Sequence, residues 1–260
     1  MARLSSVLVL FACVAVNASL TLHAYEHCQF CTRTRFVLGW AGVSYTPKFY
    51  GYGDGADPEK NGGFGYNPVS GGPIPLTGKK SLPVLEGAGV PIRDGNKGLA
   101  ESMEICSYAV ALGSGKVSPA TGRKDVSDWL TRVGDTRKAL ERPRLIQMPV
   151  ADFGDPRDIA YSKYTHTRQG FDYEQALADT PALIAELTPL LLELDTMLRG
   201  TEPGSPSLNS WGLGMDDAIL LPILRAMTVT KDVEWPERVR VYLDSACAKA
   251  NVDTFDPYAI

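Results

Sequence analysis

Cys28 and Cys31, with two residues between them, are the most chemically loaded pair in this chain. They lie in Leu20–Thr32, LTLHAYEHCQFCT, where an apolar strand-like run from Leu20 to Tyr25 delivers them to the mouth of a helical segment. Thiols at that spacing can react with one another. If the helix begins just after Cys28, its sulfur meets unsatisfied backbone N–H groups and the positive end of the helix dipole. Both favour thiolate over thiol, which makes a nucleophile near neutral pH. Cys31, one turn further on, is expected to be more buried and less ionised, and to resolve a mixed disulfide formed on Cys28. Half of a zinc site is the competing reading, but structural zinc needs four ligands. There is no second CxxC, His166 is isolated, His23 should alternate along the strand, and His27 adjoins Cys28 with poor geometry for joint ligation. The expectation is a redox pair, with no metal.

The other thiols look individual. Five cysteines with only two closely spaced do not make a disulfide framework, and Cys106 and Cys247 fall within helical patterns as buried, inert thiols. At 260 residues and 44% apolar, the chain can bury one large core or two smaller ones, and two domains fit its length better. A formal net charge of −4 without any Lys/Arg block argues against a nucleic-acid surface. The expected partner is a small molecule or another protein, with the chain itself a monomer.

Residues 1–18 stand apart. Arg3, the apolar run Leu4–Val16 and the small residues around Ala18 read as a secretory or organelle-entry signal, because the run is short of the roughly 20 residues a membrane span needs. Cleavage after Ala18 would remove Cys13 and the Asn17-Ala18-Ser19 sequon. The compartment is left open between the secretory pathway or an organelle and, without a signal, the cytoplasm. No other segment is long enough to span a bilayer.

The elements that must position the thiols follow in order. After the CxxC, Phe36, Val37, Trp40 and Ala41 recur at helical spacing and Gly42 stops the helix; Val43–Tyr50 resumes a strand, parallel to the first if the helix is a crossover. Residues 51–80 are rich in Gly and Pro without periodicity and read as a long mobile loop, either shaping substrate access or forming a surface insertion. Gly72 and Gly78-Lys79 resemble a phosphate loop, but the spacing is wrong and Lys80 stands where Ser or Thr should follow, so nucleotide binding is rejected. Ser81–Glu86 is a strand entered at Pro83, and a cis Leu82–Pro83 bond would leave the Leu82 backbone free to pair with an extended peptide. Val90–Arg93 reads as a return strand, and Ala100–Leu112 as a helix whose first turn holds Glu101 and Ser102.

Beyond 114–124, a linker, the pattern is helical only. Asp125 is expected to cap a helix carrying Val126, Trp129, Leu130, Val133 and Leu140. Thr180-Pro181 opens an apolar helix ended by Gly200 and kinked at Pro189; Asp216–Thr228 and Glu237–Ala250 are two more.

These marks together resemble the type-2 glutaredoxins, two-domain proteins shaped like glutathione transferases. The similarity is carried by Tyr25–Cys28, Leu82–Leu85, Ala100–Ile105, Asp128–Leu130, Pro143-Arg144, Met215–Asp217, Leu221–Arg225, Glu234–Pro236 and Ala259-Ile260, and runs from about Leu20 to the end. The resemblance implies a thioredoxin-like N-terminal domain over 19–113 (βαβ–ββα) and a glutathione-transferase-like all-helical domain over 125–260. It also implies glutathione as co-substrate and glutathionylated or disulfide-bearing proteins as partners. On this resemblance Cys28 is the nucleophile and Cys31 the resolving thiol. Phe30 forms an aromatic wall, Leu82 pairs its backbone with glutathione ahead of cis-Pro83, and Glu101 and Ser102 hold the γ-glutamyl end. Three departures stand out: Gln29 replaces the proline usual between the thiols, the 51–80 loop is longer, and Gly214 rather than Ser or Thr precedes Met215-Asp216-Asp217. A cysteine-type glutathione transferase and a non-catalytic redox or iron–sulfur module are the alternative functions of such a fold.

Overall fold

The computed structural model describes residues 19–93, 95–200 and 206–260; the expected signal segment 1–18 lies outside them. The first element is a four-stranded sheet in the order β2-β1-β3-β4, made of β1 (Thr21–Ala24), β2 (Thr46–Phe49), β3 (Val84–Glu86) and β4 (Leu99–Ala100). β1 runs parallel to β2, with Ala24 opposite Phe49, and antiparallel to β3, with His23 opposite Val84. An interior strand is covered on both faces, so Leu22, His23 and Ala24 are all buried. His23 is accommodated there because Nδ1 meets the Tyr50 hydroxyl at 2.6 Å and Nε2 meets Glu86 at 3.0 Å.

Helix α1 (Gln29–Trp40) follows β1 directly and buries Phe36, Val37 and Leu38. It joins the two halves of the chain, packing on α3 (Ser102–Leu112) on one side and on α8 (Met215–Met227) and α9 (Glu237–Ala250) on the other. The approach to α9 requires Gly39, where a Cβ would stand 2.5 Å from the Ala250 backbone. A buried ion cluster spans the same seam: Arg225 of α8 reaches the Glu26 carboxylate and donates to the Glu26 carbonyl at 2.9 Å, and Arg35 of α1 donates to Glu26 at 2.7 Å. The helical half is completed by α4 (Lys124–Leu145), α5 (Pro156–Thr167), α6 (Tyr173–Ala178) and α7 (Thr180–Met197), with a 3-10 turn at Ala151–Phe153 before α5. Trp129 of α4, fully buried, donates its indole N–H to the Leu190 carbonyl of α7 at 2.7 Å.

The βαβ–ββα order expected of the first half is present, with several corrections. Val90–Arg93 is not a strand: Pro91 has no N–H to give a ladder, Ile92 is exposed, and the partner of β3 comes later, at Leu99–Ala100. Ala100 thus belongs to β4 and α3 starts at Ser102, because Glu101 turns the chain at φ +68°. Asp125 and Thr180 lie inside the first turns of α4 and α7 rather than ahead of them, and α7 ends at Met197, before Gly200. Gly214 does precede α8 without a side-chain oxygen, but Asp217 reaches back and accepts the Gly214 N–H at 2.8 Å, satisfying it from the other direction. The 3-10 turn, α5 and α6 had no sequence expectation.

The largest correction concerns 51–80. The segment is not a free loop; it contains a short helix, α2 (Ile74–Thr77), and folds back on itself where Gly55 N–H donates to Tyr66 O at 2.8 Å. The buried Asp158 of α5 fastens it, accepting the Gly53 N–H at 2.7 Å and the Tyr66 hydroxyl at 2.8 Å, while Phe64 stacks on Tyr164 of the same helix. Lack of periodicity correctly indicated irregular backbone but said nothing of side-chain anchors supplied by a distant helix.

Candidate functional site

Cys28 is the N-cap of α1, extended at φ −73° and ψ 122°, with its carbonyl accepting the Thr32 N–H at 2.9 Å. Its sulfur is half-buried, at the positive end of the helix; Cys31 one turn on is fully buried and accepts the Tyr25 N–H at 3.3 Å. Both thiols are free. The two therefore differ in charge as well as exposure. The Cys31 thiol beside Cys28, the positive His27 and the N–H groups of Phe30 and Cys31 outweigh burial and bring Cys28 down to about 7, whereas burial and the Cys28 charge push Cys31 well above the ordinary thiol range. Cys106 and Cys247 are buried and pushed up to about 12, first by burial, which fits inert thiols.

Cys28 opens onto a cavity of about 670 Å³. One wall is the β1–α1 turn with Tyr25, His27 and Phe30, and the floor is the entry to β3 with Lys80, Ser81 and Leu82. The rest of the lining combines Tyr52 and Ala56 of the insertion, Tyr52 packed edge-on against His27, with Arg137 and Glu141 of α4 and Tyr161 of α5. Phe30 is 45% exposed, and the Arg33 guanidinium lies 5.3 Å from its ring centre. Leu82 lies just ahead of β3, and the Leu82–Pro83 bond is cis. Cys28, Phe30 and Leu82 therefore share one cavity. Glu101 and Ser102 do not line it; they sit at the start of α3, where the Ser102 hydroxyl accepts from Arg33 at 3.3 Å.

Several residues in this cleft escaped the sequence reading. Lys80, read only as a failed phosphate-loop position, sits 4.5 to 5.1 Å from the ring centres of Tyr52, Tyr161 and Tyr25, and burial brings its ammonium down to about 8. His27, dismissed as a metal ligand, has its ring packed on both Tyr52 and Phe153 with Nδ1 2.5 Å from the Asp152 carboxylate. Burial opposes its charged form, but Asp152 and the neighbouring Cys28 outweigh that and raise it above the ordinary imidazole range. Asp152 lies 125 residues further along, in the 3-10 turn, and no local signal could have tied it to the thiols. Glu141 is buried, pairs with Arg137 at 2.9 Å and is pushed up to about 7 by burial; Arg137 in turn reaches the Gln29 side chain, between the thiols, at 3.4 Å. Among the described residues no group of three His, Cys, Asp or Glu is placed to hold a metal ion, and no helix is long and apolar enough to cross a membrane.

Such an arrangement can perform thiol–disulfide exchange: an accessible thiolate, a sealed partner thiol in reach, and a cleft large enough for a peptide-sized ligand. Comparisons with known proteins agree in direction. Residues 125–259 match the family model described as "Glutaredoxin 2, C terminal domain". The chain is 24% identical over 244 residues to glutaredoxin 2 of Escherichia coli K12, covering 92% of this chain and 99% of that one. A glutathione S-transferase TCHQD of Arabidopsis thaliana is 26% identical over 178 residues, 60% of this chain and 65% of that protein. Among solved structures, glutaredoxin 2 of Salmonella typhimurium in complex with glutathione superposes with a TM-score of 0.75 at 23% identity, over 93% of this chain and 99% of that one, which shows the fold.

Proposed function

This chain belongs to the glutaredoxin 2 family, and from that premise and the site geometry we propose that it is a glutathione-dependent thiol–disulfide oxidoreductase. The carrying observation is the inequality of the two sulfurs: Cys28 half-buried at the helix start and lowered to about 7, Cys31 sealed beneath it and raised. In the first step the Cys28 thiolate attacks the glutathione sulfur of a glutathionylated substrate; a Cys28–glutathione bond forms, the old S–S bond breaks, and the substrate thiolate leaves and takes a proton from water. A second glutathione, as thiolate, then attacks the glutathione sulfur held on Cys28, releasing glutathione disulfide and restoring Cys28. With a protein disulfide, Cys28 forms a mixed disulfide as one protein thiolate leaves; Cys31 then attacks the Cys28 sulfur, forming the Cys28–Cys31 disulfide and releasing the second protein thiolate, and two glutathiones reduce that disulfide, leaving as glutathione disulfide.

Leu82 is proposed to pair its backbone with the cysteinyl part of glutathione, since it borders the Cys28 cavity just outside the β3 ladder. Phe30 lines the mouth beside it, Pro83 shapes the entry to β3, and Glu101 and Ser102 receive the γ-glutamyl end at the start of α3. That the relatives are named glutaredoxin, and that one of them was solved with glutathione, supports this ligand. Protein substrates, a monomeric state and the boundaries 19–113, 114–124 and 125–260 remain part of the same proposal. The test is turnover of a small glutathione mixed disulfide: Cys31→Ser keeps it and Cys28→Ser loses it. Retained turnover in Cys28→Ser refutes the assignment. A glutathione transferase would instead act on an aromatic electrophile better than on the mixed disulfide.

A further inference from the structure

Asp152 belongs to the helical half, yet it meets the active-site turn at three points. Its two carboxylate oxygens accept the Glu26 N–H at 2.9 Å and the His27 N–H at 2.8 Å, and the second oxygen also faces His27 Nδ1 at 2.5 Å. Its own carbonyl accepts the Tyr52 N–H at 2.9 Å, which ties in the start of the insertion. The carboxylate is fully buried, and a charge removed from water needs a counter-charge or a full set of donors. His27 is the cation in contact with it, and the next residue in the chain is Cys28. We propose that Asp152 is a positioning residue that acts through His27, holding an imidazolium beside the Cys28 sulfur so that the helical half sets the reactivity of a thiol carried by the other half.

The surroundings leave this role to the pair. Around His27 the charged and titratable groups are Asp152 from the 3-10 turn, Lys80 from the β3 entry, Tyr25 and Cys28 from its own segment, Tyr52 from the insertion and His166 from α5. Lys80 works against the imidazolium, and His166, lowered to about 4 first by burial, is neutral at working pH. Asp152 is thus the anion in hydrogen-bond contact with the ring. Around Cys28 the groups are His27, Cys31, Arg33 and Tyr52. Removing His27 takes away the positive charge next to Cys28, and removing the Asp152 charge lets the buried ring lose its proton; both leave the α1 start and Cys31 in place.

The experiment is the pH dependence of iodoacetamide alkylation of Cys28 in the reduced full chain, which needs no glutathione. The native midpoint is expected near 7. His27→Gln and Asp152→Asn are each expected to raise it by about one pH unit, a roughly tenfold slower reaction on the acid side. The double variant should go no further than His27→Gln, because without the ring there is no imidazolium left for Asp152 to hold. An unmoved midpoint in folded His27→Gln or in folded Asp152→Asn, or additive shifts in the double variant, overturns the proposal. Should Asp152→Asn fail to fold, His27→Gln decides alone, since Asp152 keeps its two backbone donors there. If the native protein titrates as expected but ignores glutathione, the functional reading falls and this inference stands.

Discussion

The β1–α1 turn carries its chemistry within the short run Tyr25–Cys31, whereas the second wall of the cleft, residues 51–80, has little regular structure and leans on a helix 105 residues further along. The turn is held by its own helix start, by the Glu26–Arg35–Arg225 cluster and by Asp152. The insertion hangs from one buried carboxylate, Asp158, helped by Phe64 on Tyr164 and by the Arg157 guanidinium 3.9 Å from the Tyr66 ring centre. One wall should therefore fail chemically and the other mechanically. Changes in the turn should alter reaction rates with the fold intact, and changes at the insertion's anchors should loosen the cleft while leaving the Cys28 titration in place.

The largest effect that separates the walls is on turnover. Cys28→Ser should abolish reduction of a glutathione mixed disulfide with only a small change in melting temperature, since the side chain is half-buried at the edge of the core and serine is nearly the same shape. Asp158→Ala should do the reverse: Gly53 N–H and the Tyr66 hydroxyl lose their acceptor, which costs about 1–3 kcal/mol and speeds hydrogen exchange across residues 51–66. Unchanged exchange there would mean that the insertion is held by something other than this carboxylate. A finer cut compares Gly62→Ala with Gly63→Ala. Both sites have positive φ, at 62° and 89°, but only at Gly62 would a Cβ meet the Tyr164 ring, at 2.8 Å. The difference between their melting temperatures isolates that contact, with Gly62→Ala the worse by about 1 kcal/mol.

The smallest expected effect lies on the α4 side of the cleft. Glu141 titrates at about 7 when folded against an ordinary 4.5, so the folded state binds this proton more tightly than the unfolded one. Stability that is full below about 4.5 is then lost as pH rises toward 7. Glu141→Gln should flatten that slope, gaining up to about 1 kcal/mol over the native protein at about pH 8 and almost nothing at about pH 4.5. Thermal melts at the two pH values check it. A gain at low pH instead would reverse the sign and rule out a desolvated carboxyl.

What could be read in advance follows from range. The thiol pair, the helix opening after Cys28, the entry to β3 and the apolar stripes of α4, α7, α8 and α9 are local patterns, and all are present. The strand misassigned to Val90–Arg93 shows the limit of local pattern, for alternation there was genuine but Pro91 could not join a ladder. Residues 146–179 carried no clear period, so the 3-10 turn with Asp152 and helix α5 with Asp158 went unread. Those two carboxylates fasten both walls of the cleft. Their importance comes from contacts across more than a hundred residues, which spacing within a helix or strand cannot encode.

The full burial of Cys31 has a chemical consequence of its own. Peroxide, alkylating agents and oxidised partners can arrive only at the outer sulfur, so the inner one is oxidised solely by passing its electrons outward through its neighbour. Irreversible damage should accordingly collect on Cys28 while the deeper atom survives as a thiol, leaving a protein that has lost its working end and kept its reserve.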